Sequence, residues 1–228
     1  MARTAVVAGV GPGLGESVAR RFHAEGCSVA LLARSPDTVE PLADELGDRA
    51  LAVQTDISDR AAVATAFDEV REAFGPVDVL VNHASAASWD GLLDCEFEDF
   101  RRALAVNVEG AFNCSQEAVS DMLDTEGDGT VVFTGATTAV RGRKGAVGFS
   151  AAKFGARGLA ESMARELGPR GVHVAHVVID GGIQPPGSDP DEALLDPDAI
   201  AESYWQLVEQ DRSAWTLELD LRPHVEDF

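Results

Sequence analysis

Glycines at positions 9, 11, 13 and 15 stand between an apolar run, Thr4-Ala5-Val6-Val7-Ala8, and a stretch of helical periodicity that begins at Glu16 and ends at Gly26. A buried strand, a glycine turn and a helix N-terminus in that order aim free backbone N–H groups and the positive end of a helix dipole at one spot, which suits a pyrophosphate. The spacing is G-x-x-x-G-x-G over Gly9, Gly13 and Gly15; the commoner G-x-G-x-x-G does not fit, because its last glycine would fall on Leu14 or Glu16. A loop that only turns the chain is the plainer reading of the same glycines. Arg34 and Ser35 are the next candidates, at the end of a second apolar run, Ser28–Ala33. In nucleotide-binding sheets an acid at that place favours a free ribose 2′-hydroxyl and a base favours a 2′-phosphate, so these two residues point to NADP(H) ahead of NAD(H). Asp56, in QTDISD, lies just past a third apolar run, at an edge where a ligand would bind. Three other groups carry chemistry with a plainer alternative beside it: His83 as a proton donor near neutral pH or a structural imidazole, Asp180 as an acid or base or a turn residue, and Tyr204 as a displaced acid or a packing residue.

The elements that must position these residues alternate. Strands are expected over Thr4–Ala8, Ser28–Ala33, Ala50–Val53, Val77–Val81, Thr130–Thr134, Val172–Ile179 and Leu217–Leu221. Helices are expected over Glu16–Gly26, Asp37–Gly47, Arg60–Phe74 (capped by Ser58 or Asp59), Phe97–Leu123, Val147–Leu167 and Pro197–Gln210. Short apolar runs without polar alternation, separated by helices, imply a doubly wound parallel α/β sheet of about seven strands with helices on both faces, joined by right-handed crossovers. At 228 residues the chain fits a single domain over 1–228. One irregular stretch, Asp180–Asp196, is rich in Gly, Pro and Asp and follows the sixth strand, where a substrate lid or a plain surface loop would be.

Composition excludes several classes of function. With 39 Asp+Glu against 18 Lys+Arg the net charge is -21, so the basic face that nucleic acid requires is missing. Lys144 and Lys153 are the chain's lysines; an acidic, lysine-poor surface resembles that of proteins from salt-rich cytoplasm, where screening limits self-repulsion. Cys27, Cys95 and Cys114 have no CxxC spacing and no histidines to complete a metal site, and read as buried thiols. The opening apolar run is too short to span a membrane. A soluble cytoplasmic protein is expected, without metal, membrane or nucleic acid, and with a small-molecule substrate.

In this order and spacing the motifs resemble those of the short-chain dehydrogenase/reductase family along nearly the whole chain. Gly9, Gly13 and Gly15 match its glycine motif, with Ala8 where threonine is usual. Asp56 matches its adenine-contacting aspartate, and Asn82-His83-Ala84-Ser85 resembles its Asn-Asn-Ala-Gly with the second and fourth residues changed. Asn107 falls at its active-site asparagine and Lys153 at the lysine of Tyr-x-x-x-Lys. The resemblance implies a Rossmann-like fold and an NADP(H) site that, besides Arg34 and Ser35, involves Leu14 beside the glycines, Ile57 beside Asp56, Asn82, Lys153 on the nicotinamide ribose, and Gly181 and Ile183 beyond the sixth strand. Counterparts of Phe97–Leu123 and Val147–Leu167 pair across a two-fold axis in the family, which implies a homodimer or homotetramer.

The departures fall on the chemistry. The family's proton-donating tyrosine corresponds to Phe149, and the serine that polarises the same oxygen corresponds to Ala136, with Thr134, Thr137 and Thr138 nearby. The Pro-Gly after the sixth strand has become Asp180-Gly181, and Pro185 stands where a threonine is expected. A positioned acid is worth about 10²–10⁴ in rate, so hydride-transfer geometry could outlive its loss. The resemblance therefore implies an atypical oxidoreductase acting on a carbonyl, alcohol or imine; a dinucleotide-binding sensor or partner subunit without turnover and a non-redox enzyme reusing the pocket are the other readings.

Overall fold

A computed structural model describes residues 2–125 and 128–226. Strand β1 (Thr4–Ala8) is followed by α1 (Leu14–Ala24), β2 (Ser28–Ala33), α2 (Pro36–Leu46), β3 (Ala50–Gln54), α3 (Arg60–Phe74) and β4 (Val79–Asn82). Next come α4 (Phe97–Leu104), α5 (Ala111–Asp124), β5 (Gly129–Thr134), α6 (Val147–Leu167) and β6 (Val172–Ile179). The chain ends with the two-residue strands β7 (Gly182–Ile183) and β8 (Leu194–Leu195), then α7 (Pro197–Val208) and β9 (Glu218–Leu221).

Seven strands form one parallel sheet in the order β3-β2-β1-β4-β5-β6-β9. Strand β1 shows why its sequence carries no polar alternation. Ala5 and Val7 face a core shared with α1, α2 and α7, while Val6 and Ala8 face a second core shared with α3, α5 and α6. Both faces are dry, so every position is apolar. Phe22 on one face and Phe67 on the other are fully buried, each contributing roughly 1.5–3 kcal/mol. The strand order reverses between β1 and β4, and the carboxyl ends of these two strands open the crevice where ligands bind in folds of this class. This is the single-domain, Rossmann-like α/β architecture expected.

Local differences have physical causes. The helical stretch 97–124 is continuous, but Ala105–Gly110 is a π-helical turn between α4 and α5. Asn107 sits inside it and donates from Nδ2 to the Ala86 carbonyl at 2.8 Å and the Ala103 carbonyl at 2.9 Å. Such turns open a helix at functional places. Helix α1 starts at Leu14, two residues before its apolar periodicity becomes visible. Asp59, not Ser58, caps α3, accepting from Ala61 N at 2.9 Å and Ala62 N at 3.3 Å, because Ser58 is engaged by Asp56. Strand β4 runs two residues later at its start than Val77 and takes in Asn82. The expected lid, 180–196, is not wholly irregular: Gly182–Ile183 and Leu194–Leu195 pair as a small parallel ladder that pins its two ends together.

Candidate active site

The glycine loop is shaped by close approach as much as by any ligand. A Cβ on Gly9 would lie 2.3 Å from Ala84 Cα, and one on Gly15 would lie 3.0 Å from the Gly9 carbonyl oxygen. Gly13 holds φ at 102° and precedes α1 with no side-chain cap, so the first-turn N–H groups of that helix have no side-chain acceptor and face the crevice end of the sheet. Leu14 itself turns inward, 4% exposed, which leaves its backbone as the part able to meet a ligand.

A cleft of about 280 Å³ lies over the carboxyl ends of β1, β2 and β3 and is lined by Gly9, Arg34, Ser35, Asp56 and Ile57, together with Ala84, Ser85 and Val106. The five expected residues arrive from three separate strand ends. Arg34 and Ser35 are exposed. The Asp56 carboxylate accepts from Ser58 Oγ at 2.7 Å and Ser58 N at 3.0 Å, and these bonds, with a smaller contribution from the Arg34 charge, hold it below the usual carboxylate range. Arg34 therefore stands near an ionised aspartate without an ion pair to it.

Asn82, Asn107 and Lys153, far apart in sequence, meet around one small cavity with Thr134, Ile57 and Ala84. Lys153 is 4% exposed. Its Nζ donates to the Thr134 carbonyl at 2.9 Å, and burial pushes its pKa down to about 8. Asn107 accepts from Ser85 Oγ at 3.0 Å, so its side chain ties the 85–86 loop, through Ser85 and the Ala86 carbonyl, to the Ala103 carbonyl of α4. Asn82 donates from Nδ2 to Ser115 Oγ at 3.0 Å.

Thr134 joins two of the three groups whose roles the sequence leaves open, Tyr204 and His83. The Tyr204 hydroxyl, fully buried, donates to Thr134 Oγ1 at 2.9 Å. Thr134 Oγ1 also shares a hydrogen bond with His83 Nδ1 at 3.2 Å. Burial, with a smaller contribution from the Lys153 charge, lowers the His83 pKa to about 4, so at pH 7 it is not an acid. Burial raises Tyr204 well above an ordinary phenol. Asp180 accepts from Thr137 Oγ1 at 2.6 Å and faces Arg222 at 3.3 Å. It is a braced, paired carboxylate.

Beyond Lys153 a larger cavity of about 660 Å³ opens, lined by Ala136, Thr137, Thr138, Phe149, Asp180 and Gly181 on its inner side. Phe149 and Ala136 thus share one wall. The Phe149 ring centroid lies 5.6 Å from Lys153 Nζ and 5.1 Å from the Trp89 ring. Ile183, in β7, packs partly against the core beside this wall. Trp89, the run Arg141-Gly142-Arg143-Lys144 and Glu226, none of which the motif reading singles out, also line it. Their signal was in the sequence: three of the 18 basic residues stand within four positions.

Among the described residues, no group of three or more His, Cys, Asp or Glu side chains is placed to hold a metal ion, and no helix is long and apolar enough to cross a membrane.

Comparisons with known proteins bear on the fold that carries this site. The family model for short chain dehydrogenase matches residues 3–188. Meso-2,3-butanediol dehydrogenase of Serratia marcescens is 36% identical over 176 residues, covering 77% of this chain and 69% of that protein. The alcohol dehydrogenase of the archaeon Thermococcus sibiricus, solved with 5-hydroxy-NADP, superposes with a TM-score of 0.90 at 26% identity, covering 100% of this chain and 99% of that one. The 3-ketoacyl-(acyl-carrier-protein) reductase of Brucella melitensis, solved with NADH, gives 0.89 at 29% identity over 97% of each chain.

Proposed function

The chain belongs to the short chain dehydrogenase family and is an oxidoreductase of the short-chain type; from that premise we propose that it uses NADP(H) to interconvert a carbonyl or imine compound and its reduced form without the two hydroxyls that the family resemblance places at positions 149 and 136. The observation that carries this reading is the convergence of Asn82, Asn107 and Lys153 on one cavity, between a cleft fit for a dinucleotide and a cavity walled by Phe149 and Ala136.

The residues fit the cofactor. The uncapped α1 N-terminus and Gly13 suit its pyrophosphate, Arg34 and Ser35 its 2′-phosphate, the Asp56–Ile57 segment its adenine, and Lys153 its nicotinamide ribose. When bound, the nicotinamide supplies or accepts a hydride. What this chain does for the rest of the step is narrower than in the family pattern. Lys153, with a pKa near 8, is mostly charged at pH 7 and places a buried cation behind Phe149, so that negative charge growing on a substrate oxygen is stabilised through space. Phe149 and Trp89 give the cavity an apolar wall that limits water. The proton comes from water at the open side, which restricts good substrates to activated carbonyls or imines needing little acid help.

Arg34 makes the cofactor preference testable. Calorimetric titration is expected to give NADPH about tenfold tighter binding than NADH, the worth of one exposed charge-assisted pair. Arg34→Ala should bring the two together. Equal affinities in the unaltered protein would contradict the NADP(H) assignment.

A further inference from the structure

Arg141, Arg143 and Lys144 all line the cavity that Phe149 and Ala136 wall, in a chain of net charge -21. Several of the chain's cations are held in ion pairs: Arg20 holds Glu45, Arg71 holds Glu117 and Asp121, and Arg157 holds Glu218. Among the described residues, Arg141, Arg143 and Lys144 hold no carboxylate. Three cations within four positions on one cavity rim, none held by a carboxylate among the described residues, concentrate positive charge there in an otherwise acidic chain.

The rim is also held in place. Arg143 lies over the Trp89 ring at 5.3 Å, and Trp89 packs against Phe149 at 5.1 Å, so the guanidinium stacks on an aromatic wall that continues down to the reacting end. The loop is tied at both sides. Arg141 N donates to the Thr137 carbonyl at 2.9 Å, and Arg143 N donates to Ser150 Oγ at 3.2 Å. Two carboxylates share the lining, Asp180 and Glu226, but Asp180 is taken up by Thr137 and Arg222, and Glu226 lies in the field of the same Arg222. The 141–144 rim is therefore where the cavity presents positive charge. The α6 helix, which starts at Val147 directly after the loop, adds the positive end of its dipole to that side.

We propose that the substrate is an anionic carbonyl or imine compound, with an apolar or aromatic segment lying on Phe149 and Trp89 and a carboxylate or phosphate held by Arg141, Arg143 and Lys144. The inference rests on the oxidoreductase reading and names the substrate class for that same site. The anionic group takes no part in the redox step; it orients the compound and raises its local concentration in a protein whose overall field repels anions.

The test uses the whole protein loaded with NADPH and matched sets of ketones: a keto acid, its neutral ester, and a phosphate-bearing ketone. The comparison runs on the parent and on a variant carrying Arg141→Ala, Arg143→Ala and Lys144→Ala, all exposed loop positions. NADPH consumption should favour at least one of the two anionic ketones over the ester by about tenfold or more at low salt, shrinking as salt screens the charges. The preference should vanish in the variant, and the carboxylate and phosphate arms show which oxyanion the rim takes. Turnover of the ester equal to or better than that of both anions overturns the inference and leaves the oxidoreductase reading standing, as does an anion preference that survives in the variant. If no ketone is turned over, the oxidoreductase reading fails and calorimetry on the NADPH-loaded protein decides the inference. Anion binding about tenfold tighter than ester binding in the parent only supports it, and equal or absent binding overturns it. Lys144→Ala alone, expected to lose part of the preference, guards against a folding defect in the triple variant.

Discussion

Supplying hydroxyls at positions 149 and 136, where the family resemblance implies them, is the perturbation whose size the site itself sets. Phe149→Tyr adds an oxygen at the tip of a ring whose centroid is 5.6 Å from Lys153 Nζ, and Ala136→Ser adds one on the same cavity wall. A charge about 6 Å away at an effective dielectric near 20 is worth about 3 kcal/mol, or roughly two pKa units off a phenol that starts near 10. Burial opposes this, because residue 149 is only 9% exposed, so a phenol between about 8 and 10 is expected. An acid of that strength in place contributes about 10²–10⁴ in rate. The serine hydroxyl adds a second hydrogen bond to the same oxygen, and the two changes should be more than additive. The assay is NADPH consumption against activated ketones and diketones, charged and neutral, for parent, single and double variants. A gain of about 10²-fold or more in the double variant is expected, with kcat rather than KM carrying it. A double variant that folds, binds NADPH and shows no gain on any ketone would refute the arrangement of Phe149, Ala136 and Lys153 around a reacting oxygen.

Two further expectations concern protonation and one concerns assembly. Burial holds the His83 pKa at about 4 against 6.5 for an ordinary imidazole; the unfolded chain binds the extra proton first, so stability is full above pH 6.5 and falls as pH drops through 4. His83→Asn should remove about 2 kcal/mol of that loss, discounted for the partial exposure of the ring, in urea unfolding at pH 7 and pH 4. Lys153 acts in the same direction in a higher window: its folded pKa near 8 lies below the 10.5 of a free lysine, so its burial cost is full below pH 8 and is relieved as pH rises toward 10.5. Relative to Lys153→Met, the parent should gain about 3 kcal/mol across that window, the titrating cysteines cancelling in the difference; no relative gain would contradict the burial of a charged lysine. Phe112 on α5 and Phe154 on α6 are 42% and 44% exposed, large apolar groups on the two helices expected to pair across a two-fold axis; sedimentation in molar salt should give a dimer or tetramer that Phe112→Glu with Phe154→Glu dissociates, and a folded monomeric parent would count against it.

The sheet was legible because periodicity reports on which faces are dry: runs such as Val6-Val7-Ala8 and Val29-Ala30-Leu31-Leu32 allow only a strand covered on both sides. The glycine loop was legible for the same local reason, since Gly9, Gly13 and Gly15 act within a few residues of one another. What stayed hidden is non-local. The chain Tyr204–Thr134–His83 joins residues 70 and 51 positions apart, and no single-residue property of Tyr204 shows that its hydroxyl reaches the end of β5. The π turn around Asn107 adds too little to the helical period to be seen against its apolar pattern. Arg141, Arg143 and Lys144 could be read as a charge run but not as a cavity rim, because their meaning comes from Trp89 and Phe149, which reach the same wall from another loop and from α6. The 180–196 segment was legible as irregular, while its β7–β8 ladder is too short for any pattern to register.

The central claim, hydride transfer in the cavity walled by Phe149, is tested most directly by following the hydrogen. Protein incubated with NADPH carrying deuterium at C4 of the dihydronicotinamide, and with the carbonyl panel, should yield an alcohol with one deuterium on the carbinol carbon, read by mass spectrometry, from at least one of the C4 stereoisomers. No deuterated alcohol from any carbonyl, in a protein that binds NADPH, would contradict it.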